Sequence, residues 1–200
     1  MQSTTHLVRK LDWLYATLRF FRKHLAVIMS LGLVAGLGRV VQLGGFGEIP
    51  AWMNVMVEIL VESSRLLLFL YVLGFASATT GALRVKHFLL HKKDRSHYWR
   101  VALQRLRQNG LSILLNIIVF AFIAWGINYL IDLLAYETCL YLTLKQDGIL
   151  TDSSSEWTIL LFFKNLSVIP FTLVFNAVFL LWITGKLRNY IPPIPNGKFD

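Results

Sequence analysis

The chain has 200 residues and a net charge of +9; 56% of its residues are hydrophobic and 16% are charged. With a mean hydropathy of +0.57 it lies outside the range of soluble domains, so we expect one integral membrane domain over residues 1–200. The only cysteine, Cys139, excludes an internal disulfide and a thiolate metal centre held by this chain alone. All five histidines lie outside the apolar runs, which removes the usual haem ligands from the bilayer. We therefore expect no cofactor and no bound metal.

Residues 5–24 predict a basic amphipathic helix, because apolar residues recur at spacings of three and four while most basic residues lie off that stripe. Such a helix lies in the headgroup region of a membrane. A first membrane span follows at residues 25–43, with Arg39 as its one charge. Gly32 and Gly36 in this span favour close helix packing, although glycine is common in membrane helices in general.

The second span comes from residues 51–83. Residues 51–65 predict an amphipathic outer extension with Asn54, Glu58, Glu62 and Arg65 on one face. Residues 66–83 carry no charge. At about 1.5 Å per residue this uncharged run covers about 27 Å, close to the thickness of the hydrocarbon layer. We expect one continuous helix that crosses the membrane and extends beyond it.

A basic segment at residues 84–110, with Asp94 as its one acidic residue, separates the first two spans from the last two. Asn109 and Gly110 indicate a helix stop, and residues 111–131 form the third predicted span. The connection at residues 137–157 is acidic and rich in turn residues. The fourth span, at residues 166–185, contains Pro170, which predicts a kink, and a proline-rich tail occupies residues 190–200.

The alternation of basic and acidic segments predicts the topology. The amino-terminal segment, the segment 84–110 and the carboxyl terminus are basic, whereas the connections 44–51 and 137–157 are acidic. Because basic loops stay in the cytoplasm, we expect four spans with both termini inside, in a bacterial inner membrane. The basic residues should bind anionic lipid headgroups. These candidates are Arg19, Arg22, Lys23, Arg84, Lys86, Lys92, Lys93 and Arg105.

The two halves of the chain resemble each other. The residues Trp13, Ala16, Arg19, Leu25, Ala35 and Gln42 recur at a constant offset as Trp99, Ala102, Arg105, Leu111, Ala121 and Asn128. Thr80-Gly81-x-Leu83-Arg84 likewise recurs as Thr184-Gly185-x-Leu187-Arg188. The predicted fold is therefore an all-α integral membrane protein, with four transmembrane helices as two parallel-repeat hairpins, each preceded by a basic cytoplasmic amphipathic helix.

The remaining charges near the spans form a candidate site, since intramembrane charges are costly and often functional. Counted along straight helices from the cytoplasmic edge, they all fall in the outer third of the membrane or beyond it. One interpretation is that they pair and set helix register; the other is an ion vestibule or a docking surface for a partner. The candidate residues are Arg39, Glu58, Glu62, Arg65, Asp132 and Lys164.

No motif for nucleophilic, phosphate-binding or paired-carboxylate chemistry occurs in the sequence, so we expect no enzyme. We also find no pattern for nucleic-acid binding. The sequence favours a non-catalytic membrane subunit or scaffold of a larger complex, held by other membrane proteins or by copies of itself. The alternative is a homo-oligomeric ion channel or small-solute transporter with an acidic outer vestibule, because four spans are too few to enclose a pathway alone.

Overall fold

The computed structural model describes residues 11–187, apart from the side chains of residues 92–94. This part of the chain is helical and contains no strand. The predicted helix start at residues 5–10 and the tail at residues 190–200 lie outside the described residues, as do Arg188 and the side chains of Lys92 and Lys93.

The described helices follow one another with short connections. They are α1 Asp12–Lys23, α2 Leu25–Gln42, α3 Ala51–Leu73, α4 Ala78–Leu90, α5 Lys92–Gln108, α6 Gly110–Glu137, α7 Leu140–Gln146, α8 Glu156–Leu166 and α9 Val168–Ile183. Three stretches are long and apolar enough to cross a membrane, namely α2, α6 and the pair α8 and α9, and the bent pair α3 and α4 is a fourth if it counts as one span. The all-helical prediction and the membrane-compatible helices are confirmed.

The amino-terminal helix α1 packs along α9. Trp13 is almost fully buried, and its ring lies 4.4 Å from that of Phe175 and 4.9 Å from that of Phe179, measured between centroids. Asn116 of α6 is also buried, and its side-chain oxygen accepts the backbone N–H of Leu14 at 3.0 Å. Because the first N–H groups of a helix lack partners within it, Asn116 caps α1 from another part of the chain. The predicted surface helix is therefore docked against protein on this side.

The packing face predicted on α2 is confirmed. A Cβ atom on Gly32 would lie 2.8 Å from the backbone oxygen of Asn165, and one on Gly36 would lie 3.2 Å from that of Phe162, so α8 approaches these two glycines closely. A Cβ atom on Gly38 would meet Val61 of α3 at 2.5 Å. The small residues thus let α2 pack between α3 and α8.

The continuous helix predicted over residues 66–83 is wrong. α3 ends at Leu73, α4 begins at Ala78, and the two axes differ by 83°. Phe75 and Ala76 have φ angles of 54° and 73°, in the left-handed region that ends a right-handed helix. No charged or proline residue marks this break, so hydropathy alone gave no sign of it.

The third and fourth spans differ from the predictions in their bounds. The third, α6, extends to Glu137 rather than to residue 131, and the acidic connection contains the short helix α7. The fourth begins at Glu156 and is interrupted at Ser167. Pro170 has no N–H to donate to the carbonyl of Leu166, which accounts for an interruption at this point.

The residues that carry the predicted repeat have different surroundings in the two halves. Trp13 is 1% exposed, whereas its counterpart Trp99 is 66% exposed. Gly81 lies inside α4, whereas its counterpart Gly185 follows the end of α9 with a φ of 81°. The duplication therefore stays a prediction made from the sequence pattern.

Candidate functional site

Polar side chains from three helices meet on one side of the bundle, and we call this cluster the polar seam. It consists of Arg39 and Gln42 of α2, of Asn54, Glu58, Glu62 and Arg65 of α3, and of Asn165 of α8. Four of the six predicted charged residues belong to it: Arg39, Glu58, Glu62 and Arg65.

Helical periodicity and a close helix contact bring the seam together. Asn54, Glu58 and Glu62 are spaced by four residues and so lie on one face of α3. That face borders α2 because Gly38 of α2 admits the side chain of Val61. A larger residue than glycine at position 38 would hold the two helices apart and separate the charges.

Arg39 joins both carboxylates of α3. Its Nη1 donates to Glu58 Oε2 at 2.6 Å, and its Nη2 donates to Glu58 Oε1 at 3.1 Å. The same Nη2 lies 3.1 Å from Glu62 Oε1. Two parallel hydrogen bonds between a guanidinium and a carboxylate are directional as well as strong, so this contact sets the register of α2 against α3.

Arg65 extends the seam to a third helix. Its Nη1 donates to Glu62 Oε1 at 2.5 Å, and its Nη2 donates to Asn165 Oδ1 at 2.8 Å. Asn165 is 1% exposed, and its Nδ2 donates to the carbonyl of Leu161 at 2.7 Å. The amide is thus held in place by its own helix and presents its oxygen to Arg65.

Gln42 completes the end of the seam that is farthest from Leu73. Its Oε1 accepts from Arg39 Nη1 at 2.7 Å, while its Nε2 donates to Glu58 Oε2 at 2.8 Å and to Asn54 Oδ1 at 3.0 Å. Helical spacing predicts Asn54 on the acidic face of α3, whereas Gln42 and Asn165 are not among the predicted site residues. The signal that could have found Gln42 is its position one helical turn beyond Arg39.

Two of the predicted charges do not join the seam. Lys164 is half-buried on α8, and Asp132 is half-buried on α6, whose main contact is with α8. Among the residues whose side chains the structure describes, no ion pair involves either of them. Adjacent residues of a helix point about 100° apart, so Asn165 can face Arg65 only if Lys164 faces elsewhere.

The net charge of the seam is zero, but its cations and its carboxylates differ in solvent exposure. The side chains of Arg39 and Arg65 are 21% and 23% exposed, while those of Glu58 and Glu62 are 45% and 52% exposed. Two guanidinium groups and two carboxylates cancel in charge. The two arginine side chains therefore lie mostly between the helices, and the two carboxylates form the exposed surface of the seam.

The bend after α3 removes the straight helix along which the depth of these groups was counted. α3 has 23 residues, and at about 1.5 Å per residue it is about 34 Å long, enough to cross a bilayer core without α4. Counted from Leu73, Arg65 lies at about 12 Å, Glu62 at about 17 Å and Glu58 at about 23 Å along the helix. The count that placed Glu58, Glu62 and Arg65 in the outer third followed a straight helix to Arg84, and the helix is bent before that residue. The depth of these charges in a membrane stays a prediction. Glu62 lies at the middle of α3.

The predicted headgroup-binding residues fall into two groups. Arg84 donates to the carbonyl of Leu73 at 2.5 Å, and Arg105 donates to the carbonyl of Trp182, so both satisfy carbonyls at the ends of apolar helices. The others with described side chains are exposed, namely Arg19, Arg22, Lys23 and Lys86, and their contact with lipid stays a prediction. Arg84 and Arg105 therefore stabilise the fold through these hydrogen bonds.

The chain matches no protein-family model, no curated protein and no solved structure. Within the described residues, no three histidine, cysteine or acidic side chains come close enough together to hold a metal ion. His87 and His91 stack with ring centroids 4.1 Å apart.

Proposed function

We propose that this protein is a non-catalytic integral membrane subunit that presents the polar seam to another membrane-embedded polypeptide. The observation that carries the proposal is the exposure of two carboxylates, Glu58 at 45% and Glu62 at 52%, on an outward surface near the middle of a membrane-length helix. Exposing two carboxylates to lipid is unfavourable in free energy, whereas covering them with a polar protein surface is not.

Magnitudes support this proposal. Placing one charged side chain at the centre of a bilayer costs about 3 kcal/mol on insertion scales. The pairs with Arg39 and Arg65 offset part of that cost, but the open sides of the carboxylates still require hydrogen-bond donors, which hydrocarbon does not have. Hydrogen bonds between membrane helices contribute about 1 kcal/mol each, so a partner with several polar groups could cover the seam favourably. Because the net charge of the seam is zero, that partner needs hydrogen-bond donors for the carboxylates and does not need a net positive charge.

The proposed placement in the membrane follows from the charge pattern. α3 crosses alone, α4 lies along the membrane surface, and both termini are in the cytoplasm of a bacterial inner membrane, with the basic segments against anionic headgroups. The parallel repeat of the two halves belongs to this proposal as well. This arrangement puts Glu62 and Arg65 close to the bilayer centre.

A homo-oligomeric channel or small-solute transporter is the second candidate. The specific observation in its favour is that Glu62 is exposed at the middle of α3, where a ring of carboxylates from several copies could line a passage. Against it, both carboxylates already bind arginine, and a carboxylate neutralised in this way attracts cations weakly. We therefore prefer the subunit.

Photo-crosslinking in native membranes tests the proposal. A photoreactive residue replaces Ile59, an exposed neighbour of the seam on α3, and the matched control replaces Phe122, which is 69% exposed on α6. We expect the Ile59 position to form one defined adduct with a different polypeptide, and the Phe122 position to label lipid. If Ile59 labels only lipid, the seam has no protein partner and the proposal is refuted.

The mass of the adduct separates the two candidates. An adduct of twice the mass of the chain indicates a homo-oligomer, and the double substitution Glu58→Gln with Glu62→Gln should then reduce cation flux into liposomes. An adduct of any other mass, with no flux from the purified protein, supports the subunit. Flux that the double substitution leaves unchanged would remove the channel candidate.

A further inference from the structure

An open groove of about 440 Å³ lies in the angle between α3 and α4, away from the polar seam. Leu66 and Leu70 of α3 form one wall, and Ala82, Val85 and Leu89 of α4 form the other. The volume is within the range of about 300–1,000 Å³ that is usual for small-molecule sites. The walls are almost wholly apolar, so the groove suits hydrocarbon.

The groove exists because α4 folds back tightly against the end of α3. A Cβ atom on Gly81 would lie 1.9 Å from the carbonyl oxygen of Leu70, so α4 crosses α3 at backbone contact there. Arg84 holds the corner through the carbonyl of Leu73 and lies over the ring of Phe75 at 5.3 Å from its centroid. With the corner closed and the axes at 83°, the two apolar walls diverge and leave an open wedge between them.

The charge at the groove is positive. Lys86 belongs to its lining and is exposed. The sequence of α4, Ala78–Leu90, contains no acidic residue. An apolar wedge with a cation at its edge is complementary to an acyl chain that carries an anionic headgroup.

We infer that the groove between α3 and α4 binds one phospholipid with an anionic headgroup. An acyl chain lies between Leu66 and Leu70 on one side and Val85 and Leu89 on the other, and the phosphate pairs with Lys86. The inference rests on the membrane placement in the proposed function, which sets the basic segments against anionic headgroups, and adds to it a single site with an acyl chain; the groove and the polar seam share no residue, so each can fail separately. It differs from diffuse adsorption of lipid to a basic surface in that a single site with defined walls holds the molecule.

Native mass spectrometry of the full chain in detergent tests the site. Phosphatidylglycerol and phosphatidylcholine with identical chains are added in turn, and the retained lipid is counted. We expect one tightly retained phosphatidylglycerol, bound about fivefold better than phosphatidylcholine, which is the effect of one lysine near an anionic headgroup. Lys86→Gln should abolish this preference. The control Arg100→Gln removes an exposed charge of α5 outside the groove and should leave the preference unchanged.

A second pair of variants tests the chain contact. Ala82→Phe fills the groove from an exposed position and should reduce retention of both lipids at least about tenfold, since each buried methylene contributes to binding. Leu114→Phe adds the same ring at an exposed site on α6 and serves as its control. Leu89→Ala removes contact without adding bulk, and should weaken retention even if Ala82→Phe perturbs the fold.

Three outcomes would overturn the inference. Equal losses in Lys86→Gln and Arg100→Gln would mean that lipid responds to the general surface charge. Complete competition by the water-soluble glycerophosphoglycerol headgroup would mean that a phosphate site without a chain site accounts for binding. Unchanged lipid retention in Ala82→Phe, with loss of a dimer instead, would assign the groove to a second copy of the chain.

Discussion

Two helix breaks in this molecule have opposite outcomes. Between α3 and α4 the chain turns by 83°, whereas α8 and α9, interrupted at Ser167, still count as one membrane-length stretch, Glu156–Ile183. The second break has a proline three residues later and the first has none. The presence of a proline is therefore not what decides how far a helix axis turns.

The contacts around each break explain the difference. At the first, Gly74 and Gly81 allow backbone contact across the corner, and Ser77 begins the new helix by accepting the N–H of Thr80 at 3.3 Å. At the second, helical backbone hydrogen bonds continue on both sides of Ser167: its N–H donates to the carbonyl of Phe163, and its carbonyl accepts the N–H of Phe171, both at 3.0 Å. The first set of contacts depends on the bent form, while the second set is the ordinary bonding pattern of an α-helix.

The largest effect is expected from Gly81→Val. The added side chain would occupy the position of the Leu70 carbonyl, so α4 must move away from α3, at a cost of about 3 kcal/mol in the free energy of unfolding. Distance measurements between spin labels at positions 67 and 83, in a variant without Cys139, should show the 83° corner opening. The control Gly126→Ala has nothing within 4 Å of its Cβ position and should stabilise α6 by about 1 kcal/mol. An unchanged label distance in Gly81→Val would contradict the role given to this glycine.

Gly32→Ala tests the straighter break. Its Cβ would lie 2.8 Å from the backbone oxygen of Asn165, so α2 and α8 must separate slightly, and we expect a loss of about 2 kcal/mol. Thermal unfolding in detergent measures the change. The path of α8 into α9 should persist, because the backbone of Ser167 still bonds to Phe163 on one side and to Phe171 on the other. If this substitution bends the pair as strongly as Gly81→Val opens the corner, the contrast between the two breaks is lost.

Arg84→Gln tests the corner with less disruption. The substitution removes a hydrogen bond from a cation to the carbonyl of Leu73 and the contact with the ring of Phe75. Because the glycine contact remains, we expect a loss of about 1 kcal/mol in stability with little change of the bend. Arg100→Gln, an exposed substitution on α5, is the matched control and should be neutral in the same unfolding experiment.

The smallest effect concerns a third junction, His24, which separates α1 from α2 just outside the span. Its Nδ1 lies 3.0 Å from the hydroxyl of Tyr71, and partial burial, with a smaller effect of the Lys23 charge, lowers the pKa of His24 below its ordinary value. The unfolded chain then binds a proton more readily than the folded one. The contribution of neutral His24 to the free energy of unfolding is complete above about pH 6.5. It decreases as the pH drops from there towards the lowered pKa. The unfolding temperature should fall slightly on acidification, and His24→Gln should remove that part of the dependence.

Much of the candidate site followed from periodicity. Four charges on α2 and α3 were predicted to meet, and they do, because the spacing of Glu58, Glu62 and Arg65 leaves only one face of a helix for them. Lys164 was predicted to join them and does not, whereas its neighbour Asn165 does. Which of two adjacent residues faces a given helix depends on how that helix is rotated, and a pattern within one helix does not contain that angle.

The sequence by itself determined that the protein is helical and membrane-compatible, which residues share a face, and that charge is sparse in the spans. These are properties of single helices, set by composition and by a period of about 3.6 residues. Only the tertiary structure decided that α3 ends at Leu73, that Glu62 therefore lies at the middle of α3, and that Asn116 holds α1 against the bundle. Each of these depends on contacts between residues far apart in the chain, where backbone atoms meet or a buried polar group finds its partner.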